Sequence, residues 1–137
     1  MNSPIQNSII LPPHKRGVYL ITDKIEPLIN IKSGIINLFL KHTSASLAIN
    51  EGWDSSVRVD VETFLSSLIP DGWSGFTHTL EGADDMSAHM KNIFIGSSLT
   101  IPVVDGKLAL GTWQGIYFLE HRDVGSQREI LITQIGE

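Results

Sequence analysis

Short apolar runs with a two-residue alternation, separated by turn residues, dominate the chain, and only one stretch carries a long helical period. That pattern confines the fold to antiparallel sheets with few helices packed on them. The sharpest local mark is Asp105-Gly106, which sits between the runs Leu99–Val104 and Lys107–Leu110 and reads as a two-residue hairpin turn. Arg16–Thr22, Gly34–Leu40, Thr43–Asn50, Gly115–Glu120 and Arg128–Ile135 read as further strands, the last two joined by the polar loop Asp123–Gln127. In Thr43–Asn50, Ser44, Ser46, Ala48 and Asn50 alternate with Ala45, Leu47 and Ile49. One face of that strand is therefore small and polar, suited to lining a cleft or to facing solvent.

The long helical period begins after Asp54, a good N-cap, and carries Val57, Val61, Phe64, Leu65 and Leu68. Pro70 ends it by disfavouring helical geometry at Ile69. A shorter helix is expected from Asp84 or Asp85 to just before Gly96, with Met86, Met90, Ile93 and Phe94 as its apolar face. The prediction is a single α+β domain over residues 1–137: two packed antiparallel sheets, sandwich-like, with one long and one short helix on one side.

Composition narrows the function classes. A hydrophobic fraction of 42% with 18% charged residues is that of a globular chain. The absence of cysteine removes disulfides, thiol nucleophiles and thiolate metal sites. A formal net charge of −5, with cations scattered singly, argues against a nucleic-acid partner. No apolar run approaches the roughly 20 residues of a membrane span. The polar stretch Met1–Gln6 lacks the order of a secretory signal, so the expected location is the cytoplasm.

The densest group of reactive side chains is Glu81-Gly-Ala-Asp84-Asp85-Met-Ser-Ala-His89-Met-Lys91. On a helix Asp85 and His89 stand at i and i+4 and share a face, an arrangement that orients an imidazole for ligation or proton transfer. His42 ends an apolar strand and His78 lies three residues before Glu81. With His89 they would make a three-histidine divalent-metal site with an open position, if the fold gathers them. A second unusual segment is Gly111-Thr112-Trp113-Gln114-Gly115-Ile116, where glycines flank a hydroxyl, an indole and an amide; it serves either as a ligand-facing loop or as a tight turn anchored by Trp113. Glu120 and Arg122 share one strand face, where an ion pair is the plain reading. Thr43 and Ser44 follow His42 directly, but no Gly-x-Ser-x-Gly elbow surrounds a serine, which argues against a serine hydrolase.

The segments His42-Thr-Ser-Ala-Ser-Leu47, Asn50-Glu51, Glu81–Lys91, Ile101-Pro-Val103 and Gly111–Ile116 with Glu120 together resemble the YjbQ family, from about Arg16 to the C-terminus. The resemblance implies packed antiparallel sheets, a homotrimer with polar residues near subunit boundaries, and a metal site from His42, His78 and His89. It also implies a weak activity as a secondary thiamine-phosphate synthase, which joins a pyrimidine pyrophosphate to a thiazole phosphate and releases pyrophosphate.

On that footing the first expectation is a metal-assisted transferase acting on a small phosphorylated metabolite, using zinc or magnesium. Lys91 and Arg128 would add positive charge. Glu81, Asp84 and Asp85 would orient histidines or hold metal-bound water, Glu120 is a further catalytic candidate, and Thr43, Ser44, Thr112, Trp113 and Gln114 would contact substrate, Trp113 by stacking on a ring unless it simply packs. A non-catalytic protein that binds a metal or phospho-metabolite, and a metal-dependent hydrolase, use the same residues; turnover separates them.

Overall fold

The computed structural model describes residues 3–137, so Met1 and Asn2, the start of the polar N-terminal stretch, lie outside it. Eight strands form two antiparallel sheets. The strands are β1 (Ile5–Leu11), β2 (Lys15–Leu20), β3 (Gly34–Leu40), β4 (Ala45–Glu51), β5 (Ser98–Val104), β6 (Lys107–Leu108), β7 (Gln114–Val124) and β8 (Arg128–Gly136). One sheet runs β1-β8-β3-β5-β6 and the other β2-β7-β4. The helices are α1 (Thr22–Ile25), α2 (Ser55–Leu68) and α3 (Asp85–Ile95), with a single 3₁₀ turn at Glu26–Leu28.

The core follows from strand alternation. Ile36, Leu38 and Leu40 of β3, Ile101 and Val103 of β5, and Ile130 and Ile132 of β8 point inward to meet Ala45, Leu47, Ile116 and Phe118 of the smaller sheet. The opposite face of β7, with Tyr117, Leu119 and His121, is buried too. On that side α2 packs on β2, and α3 packs on β4 and β7. Among the described residues, no helix packs closely on the outer face of the five-stranded sheet, which leaves Ile10, Ile35, Phe39 and Ile135 exposed.

Several expectations hold in detail. The hairpin pairs Val103 with Leu108 and Val104 with Lys107, and both turn residues take the left-handed conformation, Asp105 with φ 52° and Gly106 with φ 75°. Asp54 caps α2, its side chain accepting from the Ser56 amide at 2.9 Å, and the helix stops at Ile69 before Pro70.

Other expectations need correction. β1 and the short helical segments at 22–28 were not anticipated. β1 is an edge strand on β8, and an edge tolerates the polar Gln6-Asn7-Ser8 run that hides its apolar rhythm. The anticipated apolar face of α3 is inverted. The buried side chains of the helix are Asp85, Ser87, Ala88 and Lys91, while Ile93 and Phe94 are 71% and 73% exposed. α3 thus turns its polar stripe to the protein and its apolar edge outward. α2 likewise buries none of its residues fully, and Phe64 and Leu68 face solvent.

Candidate metal centre

α3 and β7 build the centre together. Asp85, at the first turn of α3, receives His78 Nε2 at 2.6 Å on Oδ2, and His89 Nε2 lies 3.1 Å from the same oxygen, one helical turn on. The other carboxylate oxygen, Oδ1, accepts from Arg122 Nη1 at 2.8 Å. Asp84 stands at the N-cap position but makes no capping bond. Its Oδ2 instead accepts from Arg122 Nε and from the Asp123 amide, both at 2.9 Å. Burial alone pushes the Asp85 carboxyl up. The bond from His78 and the charges of His89 and Arg122 outweigh burial and hold the carboxyl below its ordinary value.

The proton count at His89 is informative. His89 Nδ1 lies 2.8 Å from the carbonyl oxygen of Thr43; a carbonyl only accepts, so Nδ1 carries the hydrogen. In the neutral ring Nε2 then turns a lone pair toward the Asp85 carboxylate. Two acceptors face each other, and either a second proton on the ring or a cation between them relieves the contact. His78, Asp85 and His89 each offer one ligand atom, and all three atoms lie within 4.8 Å of one another. Two imidazole nitrogens and one carboxylate oxygen are a donor set that suits zinc, whereas magnesium asks for oxygen alone. His78 is about half exposed, so the cluster is open on one side. A cavity of about 350 Å³ lies beside it, lined by Thr43, His89, Asn92 and Ile93.

The remaining residues singled out from sequence fall in several places. His42 is not in this group of ligand atoms; its Nε2 accepts from the Glu129 amide at 2.8 Å. Glu120 and Arg128 form a buried two-pronged pair at 2.8 and 2.6 Å, and Arg128 also donates to Ser44 Oγ at 3.0 Å. Gly125 leaves the space, because a Cβ there would collide with Glu120 Oε1. Glu81 is exposed and supplies its carbonyl oxygen to Arg122 at 3.0 Å. Lys91 is wholly buried, and its Nζ has no hydrogen-bond partner among the described residues. Burial lowers its pKa.

Gly111–Ile116 lies elsewhere. Gln114 Oε1 accepts from the Gly111 amide at 2.8 Å. Thr112 offers its carbonyl oxygen to Trp53 Nε1 at 3.1 Å, and the exposed rings of Trp53 and Trp113 meet edge to face at 5.7 Å. Gln114 begins β7 and Arg122 is near its end. At about 3.3 Å per residue, roughly 25 Å separates this loop from the histidine cluster within one chain.

Arg122 is the residue the sequence did not identify. Its plain reading was an ion pair with Glu120, but Glu120 belongs to Arg128 and the Arg122 side chain reaches Asp84 and Asp85. Nothing local could show it, since the contact spans 38 positions. His121 carries no signal in the sequence that marks it either. It is fully buried, with Nε2 2.8 Å from Ser46 Oγ, and burial, then the charges of Lys91, Arg128 and Arg16, pushes its pKa down to about 3. The folded state keeps His121 neutral, while the unfolded state takes up a proton below about 6.5. Its contribution to stability is therefore present above that value and lost as pH falls toward 3, at up to about 1.4 kcal/mol per pH unit. Denaturant midpoints measured against pH should show this slope, and His121→Gln should flatten it relative to wild type.

A two-sheet α+β protein with an open histidine–carboxylate cluster is the class that fold and site define. Residues 7–137 match the family described as UPF0047 protein YjbQ-like, and the chain belongs to that family. It is 44% identical to the UPF0047 protein YjbQ of Salmonella typhimurium over 136 residues, covering 96% of this chain and 98% of that one. To a UPF0047 protein of Methanocaldococcus jannaschii it is 48% identical over 107 residues, covering 78% of this chain and 74% of that one. Among solved structures, a YbjQ-like protein of unknown function from Sulfolobus solfataricus superposes with a TM-score of 0.89 at 27% identity, covering 98% and 99% of the two chains. A hypothetical protein from Aeropyrum pernix gives 0.88 at 31% identity, covering 97% and 99%.

Proposed function

We propose that the protein is a metal-assisted transferase acting on a small phosphorylated metabolite, with His78, Asp85 and His89 as the ion's ligands. The observation that carries this reading is the convergence of one ligand atom each from His78, Asp85 and His89 within 4.8 Å of one another, with His89 Nε2 3.1 Å from the Asp85 carboxylate, a set that a cation would draw together. A zinc ion bound there would neutralise a departing pyrophosphate. The chain's own residues fix the geometry: the Thr43 carbonyl sets the His89 tautomer, and Arg122 holds Asp84 and Asp85 by their outer oxygens. The cavity beside His89 is lined by Thr43, Asn92 and Ile93, and Asn92 Nδ2 is held by the Ala45 carbonyl and Ser97 Oγ. The resemblance to secondary thiamine-phosphate synthases supplies the reaction class: joining a pyrimidine pyrophosphate to a thiazole phosphate. Incubating both substrates with zinc-loaded protein tests it. Pyrophosphate release that disappears on chelation and in His89→Ala is expected; uptake of ligand without any product would leave a binding protein instead.

The reading includes a homotrimer. Two features support a second copy on these surfaces. The outward edge of α3 exposes Ile93 and Phe94, and the bare face of the five-stranded sheet, on the other side of the sandwich, exposes Ile35 and Phe39, two apolar surfaces that neighbouring chains would cover. The Trp113 loop and the histidine cluster stand at opposite ends of β7, so they can serve one ligand only if a neighbouring chain brings them together. Light scattering should return three times the 15.1 kDa chain mass, and Phe94→Glu should lower it. A monomer mass for the wild-type protein at micromolar concentration contradicts the trimer.

A further inference from the structure

The helical side of the three-stranded sheet holds a second polar centre that shares no residue with the histidine cluster. Because α2 buries no residue fully, a cavity of about 400 Å³ stays open between it and β2, lined by Arg16, Tyr19, Ser55, Arg58, Val59 and Glu62 among others. A register shift between Lys15 and Gly17 interrupts the pairing of β2 with β7 at Arg16, the kind of bulge that re-aims a side chain. Asp71 and Asp123 both take Arg16 Nη2, at 2.7 and 2.8 Å. Arg16 Nε is left buried and without a hydrogen-bond partner.

The same holds for Arg58 Nη1, on the facing wall, and for Lys91 Nζ. Lys91 approaches from α3, near enough that the charges of Arg16 and Glu62 act on its ammonium. Among the described residues, three of the four buried side-chain nitrogens without a partner thus belong to cationic side chains: Arg16 and Arg58 line the cavity, and Lys91 lies near enough to feel the charge of Arg16. Buried donors left unmade are costly, and cationic ones the more so. An acceptor-rich anion removes that cost, and guanidinium forks match the oxygens of a phosphate in particular. Val18, Tyr19 and Val59 give the rest of the cavity an apolar wall suited to a small organic body.

We propose that the cavity between α2 and β2 binds a small phosphate monoester, its phosphate held by the free N–H groups of Arg16 and Arg58. The proposal rests on the phosphorylated-ligand class given above but not on the metal. Glu62, on the same wall, and Asp71 and Asp123, which already pair with Arg16, are like charges that set the affinity below its maximum.

Calorimetric titration of chelator-treated protein with inorganic phosphate and with phenyl phosphate tests it. Saturable binding is expected, tighter for phenyl phosphate because of the apolar wall. Arg58→Ala should weaken both at least tenfold with the far-ultraviolet circular dichroism unchanged, and Glu62→Gln should tighten both several-fold. His89→Ala should bind as wild type does, which separates this site from the metal centre. Wild-type protein that takes up neither probe, or Arg58→Ala that binds them equally well, overturns the proposal. Loss of phosphate binding in His89→Ala would move the anion to the histidine cluster and overturn it as well.

Discussion

Arg128→Met is expected to lower the thermal midpoint by roughly 10 °C. Glu120 and the Arg128 side chain are 0% and 5% exposed and meet through two bonds, so removing the guanidinium strands a carboxylate in the interior. Breaking such a pair costs about 3–5 kcal/mol, and for a domain of this length each kcal/mol moves the midpoint by roughly 3 °C. The pair itself contributes little net stability, because desolvation of both ions offsets their attraction. The double variant Glu120→Gln with Arg128→Met should therefore recover most of the loss, a non-additivity that a thermal double-mutant cycle reads directly. A single variant as stable as wild type would mean that water or a neighbouring chain already reaches Glu120.

Asp85→Asn and His89→Ala should each weaken zinc binding at least a hundredfold, since each removes one of three ligand atoms. The two substitutions differ in their structural cost. His89 is partly exposed, and α3 rests on Ala88 and Lys91 rather than on the imidazole, so His89→Ala should lose about 1 kcal/mol through the abandoned Thr43 carbonyl. Asp85→Asn keeps the shape but removes the charge that Arg122 and His78 both use. Measuring thermal midpoints with and without zinc separates stability from affinity: both variants should lose the zinc-dependent rise that wild type shows. A variant that melts earlier yet keeps the full rise would take its residue out of the metal shell.

Much of this arrangement was legible in the sequence where the signal is local. The Asp105-Gly106 hairpin, the Asp54 cap and the sharing of one face by Asp85 and His89 are decided within a few residues, and the structure has all three. Legibility ended where tertiary context overrides pattern. The α3 stripe Met86, Met90, Ile93, Phe94 has the right period for a core face, yet the helix buries Asp85, Ser87 and Lys91. The partners of Asp85 and Ser87, namely His78, Arg122 and Asp71, come from other segments, and they make that polar burial possible. β1 was hidden because an edge strand need bury only alternate residues on one face. Composition cannot show that Gly111–Ile116 and Glu81–Lys91 end at opposite ends of one strand either; that follows from the pairing of β4 with β7, which sets Glu51 opposite Gln114 and Ala45 opposite Glu120.

The ion itself is the most direct test. Crystals grown with zinc and measured at the zinc absorption edge should show an anomalous peak in contact with His78 Nε2, His89 Nε2 and Asp85 Oδ2, at the roughly 2.0–2.2 Å of zinc–ligand bonds. An anomalous map empty at that position, with His89 Nε2 still hydrogen-bonded to Asp85, would contradict a metal centre there and identify the cluster as an imidazolium–carboxylate pair.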